Sequence, residues 1–333
     1  MRLSKPGAAH ASPLQPVDLP PQLPEAGELL LAVAACGVCR TDLQLCEGDL
    51  VAHRLPVVPG HQIVGRVIAV GDQVSGWQVG DRAGVAWLAG ADGTCERCRE
   101  GRENLCAQAR FTGWDRDGGF ATHAVVRADF AFEIPEVFDD VSAAPLLCGG
   151  VIGYRSLKIS GIRPGQRLGL FGFGASALLA LQVARHWGCS VYVCTRAERE
   201  RKRALSLGAE WAGDYVERPP VPLDAAITFA PVGSVVVAAL ESLARGGTVA
   251  INAIHLDGLP ALSYDKLWWE RSIRSVANFT REDAREFLAL AAQIPIRTTI
   301  DRYPLHDANR ALQDLEAGRV GGAAVLEMQG LTA

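Results

Sequence analysis

The sequence predicts an α/β protein of two domains, one β-rich and one built on a doubly wound parallel sheet. Three observations lead there. The chain has 333 residues, more than a single hydrophobic core usually serves. Up to Gly149 it is rich in Gly, Pro and short β-branched runs, the texture of short strands joined by long loops. Beyond Gly153 near-continuous apolar strands alternate with helical patterns, which indicates a parallel sheet covered on both faces.

Leu29–Ala34, Ile63–Val70 and Phe120–Val126 read as strands, bounded by turn residues at Pro59-Gly60, Val70-Gly71-Asp72 and Asp117-Gly118-Gly119. In the second half Arg167–Phe171 is a short buried strand and Ala175–Trp187 a helix with few polar residues. Val191–Cys194 is the next strand and Glu198–Leu207 a charged amphipathic helix. Ala225–Thr228, Ser234–Leu243, Thr248–Ile251 and Ile273–Ala277 continue the alternation. Arg281–Gln293 and Leu305–Glu316 supply two further amphipathic helices.

Hydrophobic residues make up 49% and charged residues 21% of the chain, so a sizeable core is available and long disorder is not expected. A net charge of −4 argues against a basic surface for nucleic acid or an anionic membrane. Leu29–Cys36 and Ala177–Ala184, the longest apolar stretches, are too short to span a bilayer. Met1–Ala11 is polar, broken by Pro6 and without a signal-like apolar segment, so the expected location is the cytoplasm. Cysteine usage agrees: nine cysteines, mostly in short clusters, read as metal binding before cross-linking. Cys36, Cys189 and Cys194 read as core thiols.

Gly172-Phe173-Gly174-Ala175-Ser176-Ala177 lies between a strand and a helix and fits G-x-G-x-x-G/A. Glycines there permit a tight turn and bring backbone N–H groups close to a pyrophosphate, which the helix N-terminus also favours. NAD-binding turns usually carry an acid about 20 residues on, at the ribose 2′-hydroxyl. Thr195 occupies that slot, followed by Arg196 and Arg199. With no acid to repel a 2′-phosphate and Arg196 to bind it, NADP(H) is favoured over NAD(H). The alternative, arginines forming the solvated face of a helix, stays open.

Cys95-x2-Cys98-x7-Cys106 gathers three thiols in a polar, Gly-rich loop, and Asp92 stands three residues before the first. Four such ligands suit a closed tetrahedral zinc site; a metal-free or disulfide-bonded loop is the other reading. Cys39, His61 and Cys148 are scattered, and spacing alone does not join them. The loop's Arg97, Arg99 and Arg102 are balanced by Glu96, Glu100 and Glu103, which argues against nucleic-acid binding.

Several motifs occur together and in order: Gly37-Val38-Cys39-Arg40-Thr41-Asp42, Gly60-His61-Gln62-Ile63-Val64-Gly65, Gly80-Asp81-Arg82, the cysteine loop with Asn104-Leu105-Cys106, Ala144-Pro145-Leu146-Leu147-Cys148 and the Gly172 turn. In these the chain resembles, over essentially its whole length, the zinc-containing alcohol dehydrogenases of the medium-chain dehydrogenase/reductase family, including cinnamyl alcohol dehydrogenase-like members. The resemblance implies a GroES-like zinc-binding catalytic domain over residues 1–149 and 279–333 and a Rossmann domain over 150–278. It implies two zincs per chain: a catalytic one on Cys39, His61 and Cys148, and a structural one on Asp92, Cys95, Cys98 and Cys106. Thr41 would take the alcohol proton toward the cofactor ribose, Asp42 would orient the zinc shell, and Arg40 would meet the pyrophosphate. Cys46, Leu50, Trp87 and Trp114 would line the substrate cleft, although each is equally explicable as packing. Substrates would be small alcohols or aldehydes, with an aryl or medium-length preference, and the assembly a homo-dimer or homo-tetramer.

The chain departs from this pattern at three positions. Gln62 replaces the glutamate usual after the zinc histidine, Gln44 stands where several relatives carry a relay histidine, and Asp92 replaces a cysteine. Glutamine cannot act as an ionisable base, so the proton leaves through water or through His53, which otherwise reads as a surface residue. Two alternatives are a family member acting on another carbonyl or a polyol, and a non-catalytic zinc- and nucleotide-binding sensor.

Overall fold

Alternation in the first apolar run makes it a strand with one buried side. Glu28–Val38 extends over 11 residues and turns Leu29, Leu31, Val33 and Ala35 inward, as a period of two requires. It pairs antiparallel with Gln62–Val70, His123–Arg127 and Ala323–Glu327. The sheet order runs Ile300–Pro304, Ala323–Glu327, Glu28–Val38, Gln62–Val70, Arg82–Val85, Ala131–Glu133, with His123–Arg127 against Glu28–Val38 off this path. Register shifts at Leu30/Leu31 and Val33/Ala35 bend the strand around a core that includes Leu3, Leu29, Leu31, Val57, Ile63 and Phe120.

This computed structural model describes residues 1–328 apart from Pro21 and Pro295. The chain divides into two compact units. One comprises Met1–Cys148, Thr280–Ala289 and the chain from Arg297 on; the other comprises Gly149–Phe279 and Leu290–Ile296.

The second unit carries a six-stranded sheet, parallel throughout. Its order is Trp211–Gly213, Ser190–Cys194, Arg167–Phe171, Leu223–Thr228, Leu243–Ile251, Ser272–Ser275. In chain order this is the doubly wound pattern 3-2-1-4-5-6, whose ligand crevice opens at the carboxyl ends of the two central strands. Those strands are Arg167–Phe171 and Leu223–Thr228. Helix Ala175–His186 buries Leu178, Leu179, Leu181 and Val183. It ends on Trp187, with Gly188 left-handed at φ +74°, the residue type that terminates a helix without a Cβ penalty. Among the described residues no helix is long and apolar enough to cross a membrane.

Two expected elements shift. The strand expected from Phe120 starts at His123, because the backbone N–H groups of Gly119 and Phe120 bond to the carbonyls of Gly60 and Pro59 instead. The strand expected to end at Ala34 continues to Val38. There Ala35–Gly37 face Gln62–Val64 on one side and Val325–Glu327 on the other.

Candidate metal and cofactor sites

The long strand ends where the first site begins. Cys39 is the N-cap of helix Arg40–Glu47, in an extended conformation. Its sulfur accepts from the Thr41 N–H at 3.4 Å, while Asp42 Oδ2 accepts from the Cys39 N–H at 2.9 Å. This is a capping box with a cysteine sulfur in the place of the serine oxygen. The other Asp42 oxygen accepts from the Gly60 N–H at 3.2 Å and lies 3.3 Å from His61 Nδ1. One carboxylate, 2% exposed, therefore fixes Cys39, Gly60 and His61 together.

Gly60 is required on two counts. Its φ is +96°, and a Cβ there would stand 2.4 Å from Phe120 Cδ1. The turn it makes points His61 at Cys39, with Nε2 3.5 Å from Sγ. Cys148 joins them from the end of the 3₁₀ turn Ala144–Leu147, and the donor atoms of Cys39, His61 and Cys148 all lie within 4.8 Å of one another. Ligands about 2.0–2.3 Å from a tetrahedral zinc stand roughly 3.5–3.8 Å apart, so the 3.5 Å separation of Cys39 and His61 fits that ion. The three groups interact strongly. The Cys39 thiol is held well below its usual value by a hydrogen bond from Cys148 and by His61, and Cys148 is correspondingly pushed up. Burial disfavours a charged His61, yet Asp42 and Cys39 together hold its pKa well above the usual one.

The second set lies in the polar loop. Asp92 Oδ1 accepts from the N–H groups of Thr94 at 2.7 Å and Cys95 at 2.8 Å, and Oδ2 accepts from Cys106 Sγ at 3.3 Å. The Cys95 and Thr94 amides hold the Asp92 carboxyl well below its usual range. Asp92, Cys95, Cys98 and Cys106 all offer donor atoms within 4.8 Å of each other, a four-ligand set with no position left open. Within the same loop Glu103, 3% exposed, accepts from the Arg281 N–H at 2.8 Å and its Nε at 3.1 Å. The loop is thereby tied to the start of helix Arg281–Gln293.

The nucleotide turn has the backbone its motif implies. Gly172 has φ +94°, and a Cβ there would stand 3.0 Å from the Ala230 nitrogen. Gly174 is the N-cap of helix Ala175–His186 with nothing within 4 Å of where a Cβ would be. Gly174 and Ala175 are exposed, Ser176 is half-buried, and Ala177 is buried under the turn. The helix N-terminus is thus bare and able to receive an anion. Thr195 is buried and Arg196 exposed.

Other expected residues divide. Trp87 lies 5.7 Å, centroid to centroid, from His61 and 6.0 Å from Trp114, with Phe111 touching both tryptophans. His53 stacks on Trp114 at 3.8 Å and bonds Asp115 at 2.8 Å, which makes it an exposed end to this aromatic wall. Leu50 is half-buried against the core. Cys46 needs correcting as a cleft residue: it is 0% exposed and belongs to the hydrophobic core, because it lies on the inward face of helix Arg40–Glu47 with Leu43. Thr41 and Gln44 are half-buried and Arg40 is exposed. Gln62, 3% exposed, lies over Gly37, where a Cβ would stand 2.5 Å from its Oε1. Its Nε2 has no partner among the described residues. Sequence reasoning missed the triple role of Asp42, although a C-x-x-D pattern before an apolar run is a capping signal. Phe111 was also missed; a single aromatic carries no such signal.

Comparison with known proteins decides the family. Residues 25–136 match the alcohol dehydrogenase GroES-like domain and residues 177–293 the zinc-binding dehydrogenase domain. The chain is 53% identical over 331 residues to the probable alcohol dehydrogenase AdhA of Mycobacterium tuberculosis, covering 98% of this chain and 96% of that one. The chain belongs to the zinc-dependent medium-chain dehydrogenase/reductase family. An alcohol dehydrogenase of Geobacillus stearothermophilus is 35% identical, with 92% of this chain and 93% of that one covered. Among solved structures, cinnamyl alcohol dehydrogenase from Sorghum bicolor superposes with a TM-score of 0.90 at 26% identity, covering 99% of this chain and 98% of that one. This medium-chain dehydrogenase is accordingly an oxidoreductase, a zinc-dependent alcohol dehydrogenase acting with a nicotinamide cofactor on small molecules.

Proposed function

We propose that this dehydrogenase interconverts aryl or medium-length aldehydes and their alcohols, with NADP(H) preferred over NAD(H), at a centre held by Cys39, His61 and Cys148. The observation that carries the reading is the convergence of those three donors from segments far apart in sequence. Zinc bound there supplies Lewis acidity toward the substrate oxygen, and the nicotinamide carries the hydride. The chain supplies the rest. Asp42 holds Cys39 and His61 in position, as carboxylates behind metal-bound histidines do. Thr41, on the helix turn that Cys39 caps, receives the alcohol proton and passes it toward the cofactor ribose. Gln44 and Gln62 do not ionise, and His53 already bonds Asp115, so the proton leaves through water.

The second donor set makes two zincs per chain, with Asp92 completing the structural one alongside Cys95, Cys98 and Cys106. Gly172, Gly174, Ala175, Ser176 and Ala177 cradle the pyrophosphate, and Thr195 with Arg196 receives the adenosine ribose. The aromatic wall of Trp87, Phe111 and Trp114 beside His61 supports the substrate preference. The domains are a catalytic one over residues 1–149 and 279–333 and a cofactor one over 150–278; the compact units support this division except at Leu290–Ile296, which groups with the second unit. Trp268 and Trp269 are 56% and 44% exposed near the edge strand Ser272–Ser275. Such a patch supports assembly as a homo-dimer or homo-tetramer, and the cytoplasm is the proposed location.

Assaying aliphatic, allylic and aryl aldehydes with NADPH and with NADH tests the reading. The expected result is the highest kcat/KM for aryl aldehydes with NADPH. Equal turnover of short aliphatic aldehydes, or a clear preference for NADH, would overturn the corresponding part.

A further inference from the structure

Charges gather at the end of strand Ser190–Cys194 in a way the nucleotide motif does not account for. Thr195 follows the strand, 3% exposed, and its hydroxyl donates to the Glu200 carboxylate from helix Glu198–Ser206. Arg201 of the same helix donates to the carbonyls of Thr195 at 2.9 Å and Arg196 at 2.7 Å, and stands 3.8 Å from Asp214. Arg196 is exposed, and among the described residues its guanidinium has no ion-pair partner.

In dinucleotide-binding folds the acid that receives the ribose 2′-hydroxyl stands at the end of this strand. Here a threonine stands there, and a carboxylate reaches the same place from the following helix. We infer that Glu200 discriminates between the two nicotinamide dinucleotides, accepting from the 2′-hydroxyl of NAD(H) and opposing the 2′-phosphate of NADP(H) that Arg196 attracts. Thr195 is the positioning residue: its hydroxyl holds the Glu200 carboxylate over the strand end. Arg201 fixes the two carbonyls beneath, so the turn that carries Arg196 is held while its guanidinium is free to reach a phosphate. The chain thus works with both cofactors, and Glu200 limits the preference for NADP(H). The inference rests on the NADP(H) reading above, yet the two fail separately.

Glu200→Gln is the discriminating variant. It removes the charge but keeps an oxygen to accept from Thr195. NADPH and NADH are titrated against wild type and variant by nicotinamide fluorescence, a binding readout independent of turnover. A unit charge removed near a partly exposed phosphate changes affinity on the order of tenfold. Glu200→Gln is therefore expected to tighten NADPH about tenfold and to weaken NADH severalfold, with the NADPH effect shrinking at high salt. Arg196→Ala is expected to weaken NADPH and leave NADH unchanged. Glu198→Gln, on the same helix but exposed and paired with Lys202 at 2.7 Å, is expected to change neither. Equal shifts for both cofactors in Glu200→Gln would show a merely structural role and overturn the inference, as would no shift. If wild type bound NADH more tightly while Glu200→Gln still moved the ratio, the NADP(H) reading would fail and the role of Glu200 would stand.

Discussion

Asp42→Asn is nearly isosteric and tests whether one carboxylate organises the metal centre. The wild-type side chain faces donors only: Cys39 N–H on one oxygen, Gly60 N–H and His61 Nδ1 on the other. An asparagine has one acceptor oxygen. Placed toward Gly60 and His61, it turns its NH₂ onto the Cys39 N–H, donor against donor; placed the other way, it abandons two partners. The first arrangement costs less and still loses one charge-assisted bond in a site 2% exposed. A bond to a charged group contributes about 1.5–3 kcal/mol, and an unsatisfied buried donor costs about 1–3. The two overlap, so destabilisation of about 2–4 kcal/mol is expected. His61 also loses the charge behind Nδ1, for which metal affinity typically falls 10–100-fold. Denaturant unfolding of metal-stripped protein gives the first quantity, and chelator competition for the catalytic metal gives the second. NADPH titration serves as the control and should not change. A variant within 0.5 kcal/mol of wild type that also keeps its metal against chelator would refute the argument, since neither the cap nor the histidine would then depend on Asp42.

Three further outcomes are expected. Asp92→Ala should carry one zinc per chain where wild type carries two, and metal analysis finding two in both would remove Asp92 from the ligand set. Gly60→Ala combines a left-handed backbone with a Cβ 2.4 Å from Phe120 and 2.9 Å from Cys36 Sγ. Strain of that kind costs about 2–4 kcal/mol, and a loss below 1 kcal/mol in denaturant unfolding would show that the turn relaxes freely. Glu103 is buried, which pushes its carboxyl up, but the Arg281 N–H and guanidinium outweigh burial and leave its pKa lowered. A lowered folded-state pKa stabilises the protein above the unfolded value, about 4.3, and that contribution disappears as pH falls through the folded value. The stability gap between wild type and Glu103→Gln should therefore close on acidification from pH 6 through the region below 4, and a constant gap would rule the ion pair out as its source.

Legibility in the sequence followed the range of the interaction. Strand–helix alternation from Arg167 onward is local, and it led directly to the parallel sheet that the structure shows. The start of strand His123–Arg127 was misplaced because Gly119 and Phe120 spend their N–H groups on Gly60 and Pro59, partners far away in sequence. Cys95, Cys98 and Cys106 could be grouped from spacing, since they share one loop. Cys39, His61 and Cys148 could be grouped only through a family resemblance, because their meeting depends on where a strand, a left-handed glycine and a 3₁₀ turn each end. Cys46 shows the opposite limit. It is near Cys39 in sequence, but the helix turns it into the core.

The region around Thr195 shows why a slot in a motif and the chemistry at that slot are separate matters. Reading Thr195 as a missing acid assumes that only the residue at the strand end can bring a charge there. A helix rises 1.5 Å per residue, so a residue within its first turn remains near the strand end and can return a long side chain to it. Glu200 does this, and the Thr195 hydroxyl receives its carboxylate. Arg196 is exposed while Glu200 is half-buried against Thr195, so opposite charges stand at one strand end. If the inference about Glu200 holds, cofactor preference follows from the difference between those two charges, and neither residue predicts it alone.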